Sequence, residues 1–325
     1  MAALERALDA WRTGTAEWTE DCEPAGELCR AEAAPILGAP TDEIALLPAV
    51  SVGVGVVAAS LTGDDEIVVP DDEFHSLLLP LATIAERRGA TVRRVPFAEV
   101  AGAVSPQTTL VATSHVRSNG GGVQDLDAVV AAAARVGARV LVDATHAAGI
   151  LPIEAASREL DLVVVAAYKH LLCPRGVGFM RISPAEQDRL VPVNASWVSA
   201  DPRTYFGGGS ELLAPDARRF DVSLAWHPWV GAVESLRVLN AIPAEERARW
   251  ATGLATDFAE RVGVEPTGSS FVGVPVRVGL DETRGVLAAA DVAASVHTGE
   301  VRVSFHIYNT PADVDYVGGV IGPLR

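Results

Sequence analysis

Between Asp64 and Ser183 the chain alternates short apolar runs with helix-like runs, and a layered fold buries both kinds. The strand-like runs are EIVVP (66–70), TVRRVPF (91–97), TLVATSHV (109–116), ARVLVDAT (138–145), LDLVVVAAY (160–168) and GVGFMRIS (176–183). Helical patterns such as LLLPLATIAERRG and DLDAVVAAAARVG lie between them, the second opening on an Asp cap and closing on Gly137. Strands of continuous Val, Leu and Ala, rather than alternating polar and apolar residues, are buried on both faces. The expected fold class is therefore α/β, with a mainly parallel sheet in a large domain.

The flanks read differently. Residues 1–45 are acidic and helix-like, a helix is expected over about 229–240, and 243–325 read as a smaller α+β domain. That domain has strands in SSFVGVPVRVG and EVRVSFHIY. The expected division is an N-terminal helical segment (1–35), a large domain (36–228), and a linking helix with a small C-terminal domain (229–325). There is no internal repeat and no low-complexity linker.

Several functions are disfavoured at once. A net charge of -16 argues against nucleic acid and anionic membranes as partners. No apolar run reaches the ~18 residues of a membrane span, and the N-terminus is not a signal peptide, so a cytoplasmic protein is expected. Cys22, Cys29 and Cys173 show neither CxxC nor zinc spacing, and no metal site is expected. The glycine loops NGGGV and FGGGS lack the strand and helix context of a nucleotide-binding motif.

Ligands of parallel sheets bind beyond the carboxyl ends of the strands. One strand ends VLVDATHAAG, with Asp143 and His146, and the next ends LVVVAAYKH, with Tyr168 and Lys169. The sequence holds 26 Lys plus Arg, and Lys169 is the single Lys. Arginine stays protonated, whereas a desolvated lysine loses its proton and becomes a nucleophile. A position that keeps Lys where every other cation is Arg is a candidate for amine chemistry. An amine beside a carboxylate suits pyridoxal phosphate (PLP): the amine forms a Schiff base and the carboxylate keeps the ring nitrogen protonated. Taken alone, Asp143 is equally readable as a helix cap.

The stretch LVDATHAAGILPIEAASRELDLVVVAAYKHLLCPRGVGF, with VRVSFHIYNTPADVD near the C-terminus, resembles the class V aminotransferase family. These are fold-type I PLP enzymes and include cysteine desulfurases, selenocysteine lyases, kynureninases and isopenicillin N epimerase-like proteins. The resemblance runs from about Ile36 to the end. It implies that Lys169 is the Schiff-base lysine and proton shuttle, that Asp143 holds the pyridine nitrogen, and that His146 lies near the phenolic oxygen. It implies a phosphate-binding turn and helix in PAVSVGVGVVAAS, with Val50 and Ser51 at the helix N-terminus. The same small residues are also read as close helix packing. Phe74 is implied as the ring-stacking residue, Tyr168 as a phosphate contact, and Ser118 and Asn119 as a loop beside the cofactor, with Asn119 near the substrate. Arg302 would bind the substrate carboxylate. Ser223 would reach a phosphate across a homodimer with shared active sites.

The implied chemistry is proton removal from Cα of an amino acid or aminated small molecule, leading to a lyase or aminotransferase-like outcome. Alternatives are a desulfurase or selenocysteine lyase, an epimerase, or a catalytically degenerate relative. Desulfurases carry a nucleophilic Cys in the small domain, and no Cys lies between Phe220 and Arg302. Cys173 reads as a buried small hydrophobe. The small domain is shorter than the family norm, and the chain starts after the strand and turn that usually precede the first helix. An open pocket, a truncated chain or a misplaced start are the expectations there.

Overall fold

The computed structural model describes residues 1–297 and 299–325, with all their side chains except that of Asp21. The chain divides into two compact units. The first holds residues 1–115, 124–148 and 152–241; the second holds 116–123, 149–151 and 242–325.

The first unit is built on a seven-stranded sheet. Its strands are β1 (Ile44–Leu47), β2 (Glu66–Pro70), β3 (Thr91–Val95), β4 (Thr108–Ser114), β5 (Arg139–Asp143), β6 (Leu162–Ala166) and β7 (Gly178–Ile182). Their order is β1-β7-β6-β5-β4-β2-β3. The run β3-β2-β4-β5-β6 is parallel, and β7 lies antiparallel between β6 and β1. Strands β5, β6 and β7 are buried at every position, as expected of strands covered on both faces.

Helix His75–Arg88 stops at Gly89, whose φ of 81 lies in the left-handed region that favours glycine. Helix Leu126–Ala134 starts at Asp125, whose carboxylate accepts the Ala128 N–H at 2.9 Å. Helix Val50–Ala59 approaches the sheet closely: a Cβ on Gly53 would sit 2.7 Å from Leu47 and 3.1 Å from Val164 side-chain atoms. The small-residue stretch is thus a packing surface as well as a helix start.

One expectation is corrected. Residues 1–45 are not wholly helical, because β1 begins at Ile44. Helices Ala2–Thr13 and Glu23–Leu37 precede it. The run IALL has only four residues and no alternation, so no periodicity marks it as a strand. Helix Trp226–Asn240 belongs to the first unit, which runs to residue 241.

The second unit has a three-stranded antiparallel sheet of β8 (Phe271–Pro275), β9 (Ser295–His297) and β10 (Glu300–Ser304), in the order β8-β10-β9. Helices Ala244–Val262, Leu280–Ala289 and Pro311–Ile321 accompany it. Phe258 and Phe305 meet at 5.4 Å among Val272, Val274, Val301 and Val303. The strands are shorter than the runs 269–279 and 300–308 suggested. Past Ser304 the chain turns, and the Asn309 side chain accepts the His306 N–H at 2.9 Å.

Candidate active site

β5 and β6 are neighbours, with Asp143 opposite Val164. This places the end of β5 and the turn after β6 at one rim of the sheet. Asp143 is the last residue of β5 and is 5% exposed. Its Oδ1 accepts the Thr145 N–H at 2.8 Å. Burial pushes the Asp143 carboxyl above its usual range; the Thr145 hydrogen bonds and the charge on Lys169 oppose the shift. Thr145 also reaches across the rim, where its Oγ1 accepts the Ala166 N–H at 2.9 Å. One threonine therefore ties the acid's strand to the strand that delivers the lysine.

After β6 the chain turns through Ala167, Tyr168 and the half-buried Lys169. The turn closes on itself: Leu172 N–H donates to Lys169 O at 3.0 Å, and Cys173 N–H to Ala167 O at 3.0 Å. Lys169 Nζ lies 2.6 Å from His146 Nε2. An ammonium only donates, so with Lys169 charged the His146 Nε2 is the acceptor and its ring proton sits on Nδ1. Phe74 comes to the same amine, its ring centroid 5.5 Å from Lys169 Nζ. Tyr168 lies under the Arg175 guanidinium, 4.5 Å from ring centroid to Cζ.

Helix Val50–Ala59 begins near this rim. Gly178 pairs with Ala166, and a Cβ on Gly178 would meet Leu47 O at 3.2 Å and Ala49 N at 3.7 Å. The backbone entering the helix therefore passes close to the end of β6. Val50 is buried and Ser51 exposed, in the first turn of the helix. Unpaired first-turn N–H groups favour an anion.

The structure thus brings together Asp143, His146, Lys169 and Phe74. Ser223 is exposed on the segment 221–225, beside Val222, whose N–H meets Leu46 O at 3.4 Å. No recorded contact joins it to Lys169. Ser118, Asn119 and Arg302 belong to the second unit. There, Arg302 Nη1 donates to Ser118 O at 2.9 Å. Arg302 Nε is buried and, among the described residues, has no hydrogen-bond partner, so part of the guanidinium fork is unspent.

Two residues of the site escaped sequence reasoning. Thr145 reads as an ordinary residue after a strand. Glu73 reads as one more acid in PDDEFHS, yet it is 7% exposed. The thiols matter for a different reason. Cys22, Cys29 and Cys173 are all buried, and burial pushes the Cys173 thiol up to about 12. Neither Cys29 nor Cys173 is a ready thiolate.

The donor set fits PLP. A buried carboxyl held above its usual range accepts a protonated ring nitrogen, an aromatic face lies near the amine, and a helix start suits a phosphate. Among the described residues no cluster of His, Cys, Asp and Glu suits a metal ion.

Comparison with known proteins identifies the family and the fold. Residues 11–262 match the model of the family described as aminotransferase class-V. The chain is 26% identical to an uncharacterized aminotransferase, YcbU, of Bacillus subtilis (strain 168), over 96% of this chain and 87% of that protein. It is 26% identical to isopenicillin N epimerase of Streptomyces clavuligerus, over 91% of this chain and 83% of the other. In fold it is similar to the cystine C-S lyase C-DES, solved with its reaction product cysteine persulfide. The TM-score is 0.89 at 21% identity, covering 99% of this chain and 93% of that one.

Proposed function

The chain belongs to the class V aminotransferase family, and from that premise we propose a lyase or aminotransferase-like enzyme that removes a proton from Cα of its substrate. The substrate is an amino acid or a small molecule bearing an amino group. The enzyme depends on pyridoxal phosphate, which when bound supplies an electron sink for the pair left at Cα.

The observation that carries the reading is the pair Lys169 Nζ–His146 Nε2 at 2.6 Å, at the strand end beside Asp143. His146 Nε2 accepts a proton from Lys169 Nζ. The neutral amine serves first as nucleophile and then as the base that takes the proton from Cα. Asp143 keeps a proton on the ring nitrogen. Phe74 covers the ring and excludes water from one face. The helix start at Val50 and Ser51 holds the phosphate, with Tyr168 beside it. Arg302 binds the substrate carboxylate; its fork geometry and the Arg-x-Ser…Tyr-Asn-Thr segment support that role. Ser118 and Asn119 border the cofactor and the substrate.

We extend the proposal to a cytoplasmic homodimer, with Ser223 directed at the partner's phosphate. No helix among the described residues is long and apolar enough to cross a membrane. The buried thiols weigh against a persulfide-forming desulfurase.

Borohydride reduction of the PLP-loaded protein, followed by peptide mapping, tests the site. Lys169 is the single side-chain amine, so a pyridoxyl mark is unambiguous. The mark is expected on Lys169 and is lost in Lys169→Ala, with turnover down about 10²–10⁴-fold. A reduced protein without the mark refutes the reading. Keto-acid release, amino transfer and loss of optical activity then separate lyase, aminotransferase and epimerase. The similarity to isopenicillin N epimerase keeps the last in that assay.

A further inference from the structure

Glu73 stands one residue before Phe74 and is 7% exposed. Its Oε1 accepts the Phe74 N–H at 2.7 Å and the Ser114 hydroxyl at 2.6 Å, and its Oε2 accepts the Ser114 N–H at 2.8 Å. All three donors are neutral. Ser114 is the last residue of β4 and pairs with Asp143 across the sheet, and the following His115 N–H donates to Asp143 O at 2.9 Å. One buried carboxylate therefore fixes the backbone of the residue facing Lys169 and the strand end facing Asp143.

A buried acid is costly unless its charge is used. Here all three recorded partners donate, which is the pattern of an ionised carboxylate. Two acids then stand near each other at the end of the sheet. Burial first, and then the charge on Asp143, push the Glu73 carboxyl upward, while the Ser114 and Phe74 donors pull it down. Two negative groups at one end of the sheet favour a nearby cation more than either does alone.

We propose that Glu73 is a positioning residue of the cofactor site: it locks Phe74 and the end of β4 in place, and its charge strengthens the hold of Asp143 on the protonated ring nitrogen. The proposal rests on the PLP site described above. It assigns Glu73 no contact with substrate.

Glu73→Gln keeps the size of the side chain, removes the charge and presents an amide where Ser114 N–H needs an acceptor. Ser114→Ala removes one donor and leaves the charge. PLP affinity is read by quenching of tryptophan fluorescence, with six Trp available. The pH midpoint of the visible band of the bound cofactor is read by absorbance. Glu73→Gln is expected to weaken PLP binding about 10-fold and to lower that midpoint by about 0.5–1 pH unit, because a cation loses a nearby anion. Ser114→Ala is expected to weaken binding about threefold or less and to leave the midpoint in place. Glu73→Asp, which restores the charge, is expected to restore the midpoint, and it serves as the readout if Glu73→Gln fails to fold.

Wild-type affinity and midpoint in Glu73→Gln, with Lys169 still marked by borohydride, overturn the proposal and leave the PLP site standing. So does a Glu73→Asp variant that folds but keeps a lowered midpoint. Wild-type protein with no mark at Lys169 overturns the proposal and the PLP site together.

Discussion

Two aspartates in the first unit are almost equally buried, Asp143 at 5% and Asp221 at 3% exposed, and burial pushes both carboxyls upward, that of Asp221 to about 6, yet their partners differ. Asp221 lies beside the sheet edge. Arg30 Nη2 meets its Oδ2 at 2.6 Å, and Leu46 N–H donates to its Oδ1 at 2.8 Å. Arg30 is held in turn by Glu27 and by the carbonyl of Ile44. Asp143, at the rim, receives the Thr145 hydrogen bonds and only the more distant charge of Lys169. A carboxylate that holds a fold together is given its cation within the chain. Asp143 is left short of a cation within the chain, and its proposed role gives it one in the ring nitrogen of the cofactor.

Arg30→Ala breaks the comparison most sharply, since it leaves Asp221 as poorly compensated as Asp143. It is expected to destabilise the protein by about 3–5 kcal/mol in chemical denaturation, because an uncompensated buried charge remains. Arg30→Ala together with Asp221→Asn should recover part of that loss.

Asp143→Asn acts in the opposite sense. It removes a buried charge that lacks a full partner, so the apo protein is expected to melt about 2–4 °C higher. PLP binding should weaken about 10–100-fold by fluorescence titration, because a neutral amide gives up the charge on the ring-nitrogen hydrogen bond. An apo protein that melts lower would show that Asp143 stabilises the fold after all.

The pH dependence carries the same sign. The folded Asp143 carboxyl titrates above its unfolded value, so folding takes up a proton between the two. This contribution to apo stability is present below the unfolded value and is lost as pH rises through the folded one. The proposed role of Asp143 needs its ionised form, so PLP affinity is expected to climb over that same rise and be lost in acid. In PLP titration between pH 4 and 8, affinity is expected to rise with pH and Asp143→Asn to flatten that rise, whereas the apo melting curve by calorimetry keeps the part due to Asp221, whose carboxyl burial pushes up to about 6.

Cys173→Ala sets the lower limit. With its thiol pushed up to about 12, Cys173 carries no reactive thiolate at neutral pH. Turnover is expected to stay within about twofold. A larger loss would reopen the desulfurase reading.

The rim was legible where the sequence is monotonous. LVVVA and RVLVD read as buried parallel strands, and a parallel sheet puts its chemistry at their ends, so Asp143 and Lys169 followed. A lone Lys among Arg residues marked the amine independently. β1 stayed hidden because four apolar residues before a proline fit a strand, a turn or a helix end equally well. Glu73 stayed hidden because Asp71, Asp72 and Glu73 stand in a row, and only the folded chain buries the third. Thr145 gave no signal because its role lies in an acceptor contact to the next strand.

The second unit is not one stretch of chain. Its segment 116–123 is made long before residues 269–273, which pin it: Ser269 Oγ donates to Gly121 O at 2.8 Å, and a Cβ on Gly121 would collide with Phe271 O. On a ribosome, every residue of the Lys169 cluster emerges before that segment has its docking partners. A nascent chain stopped after residue 241 therefore holds Asp143, His146, Lys169 and Phe74 but lacks Arg302 and Ser269, which meet Ser118 O and Gly121 O in the folded chain. The loop at 116–123 thus takes its long-range partners from residues synthesised more than a hundred positions later.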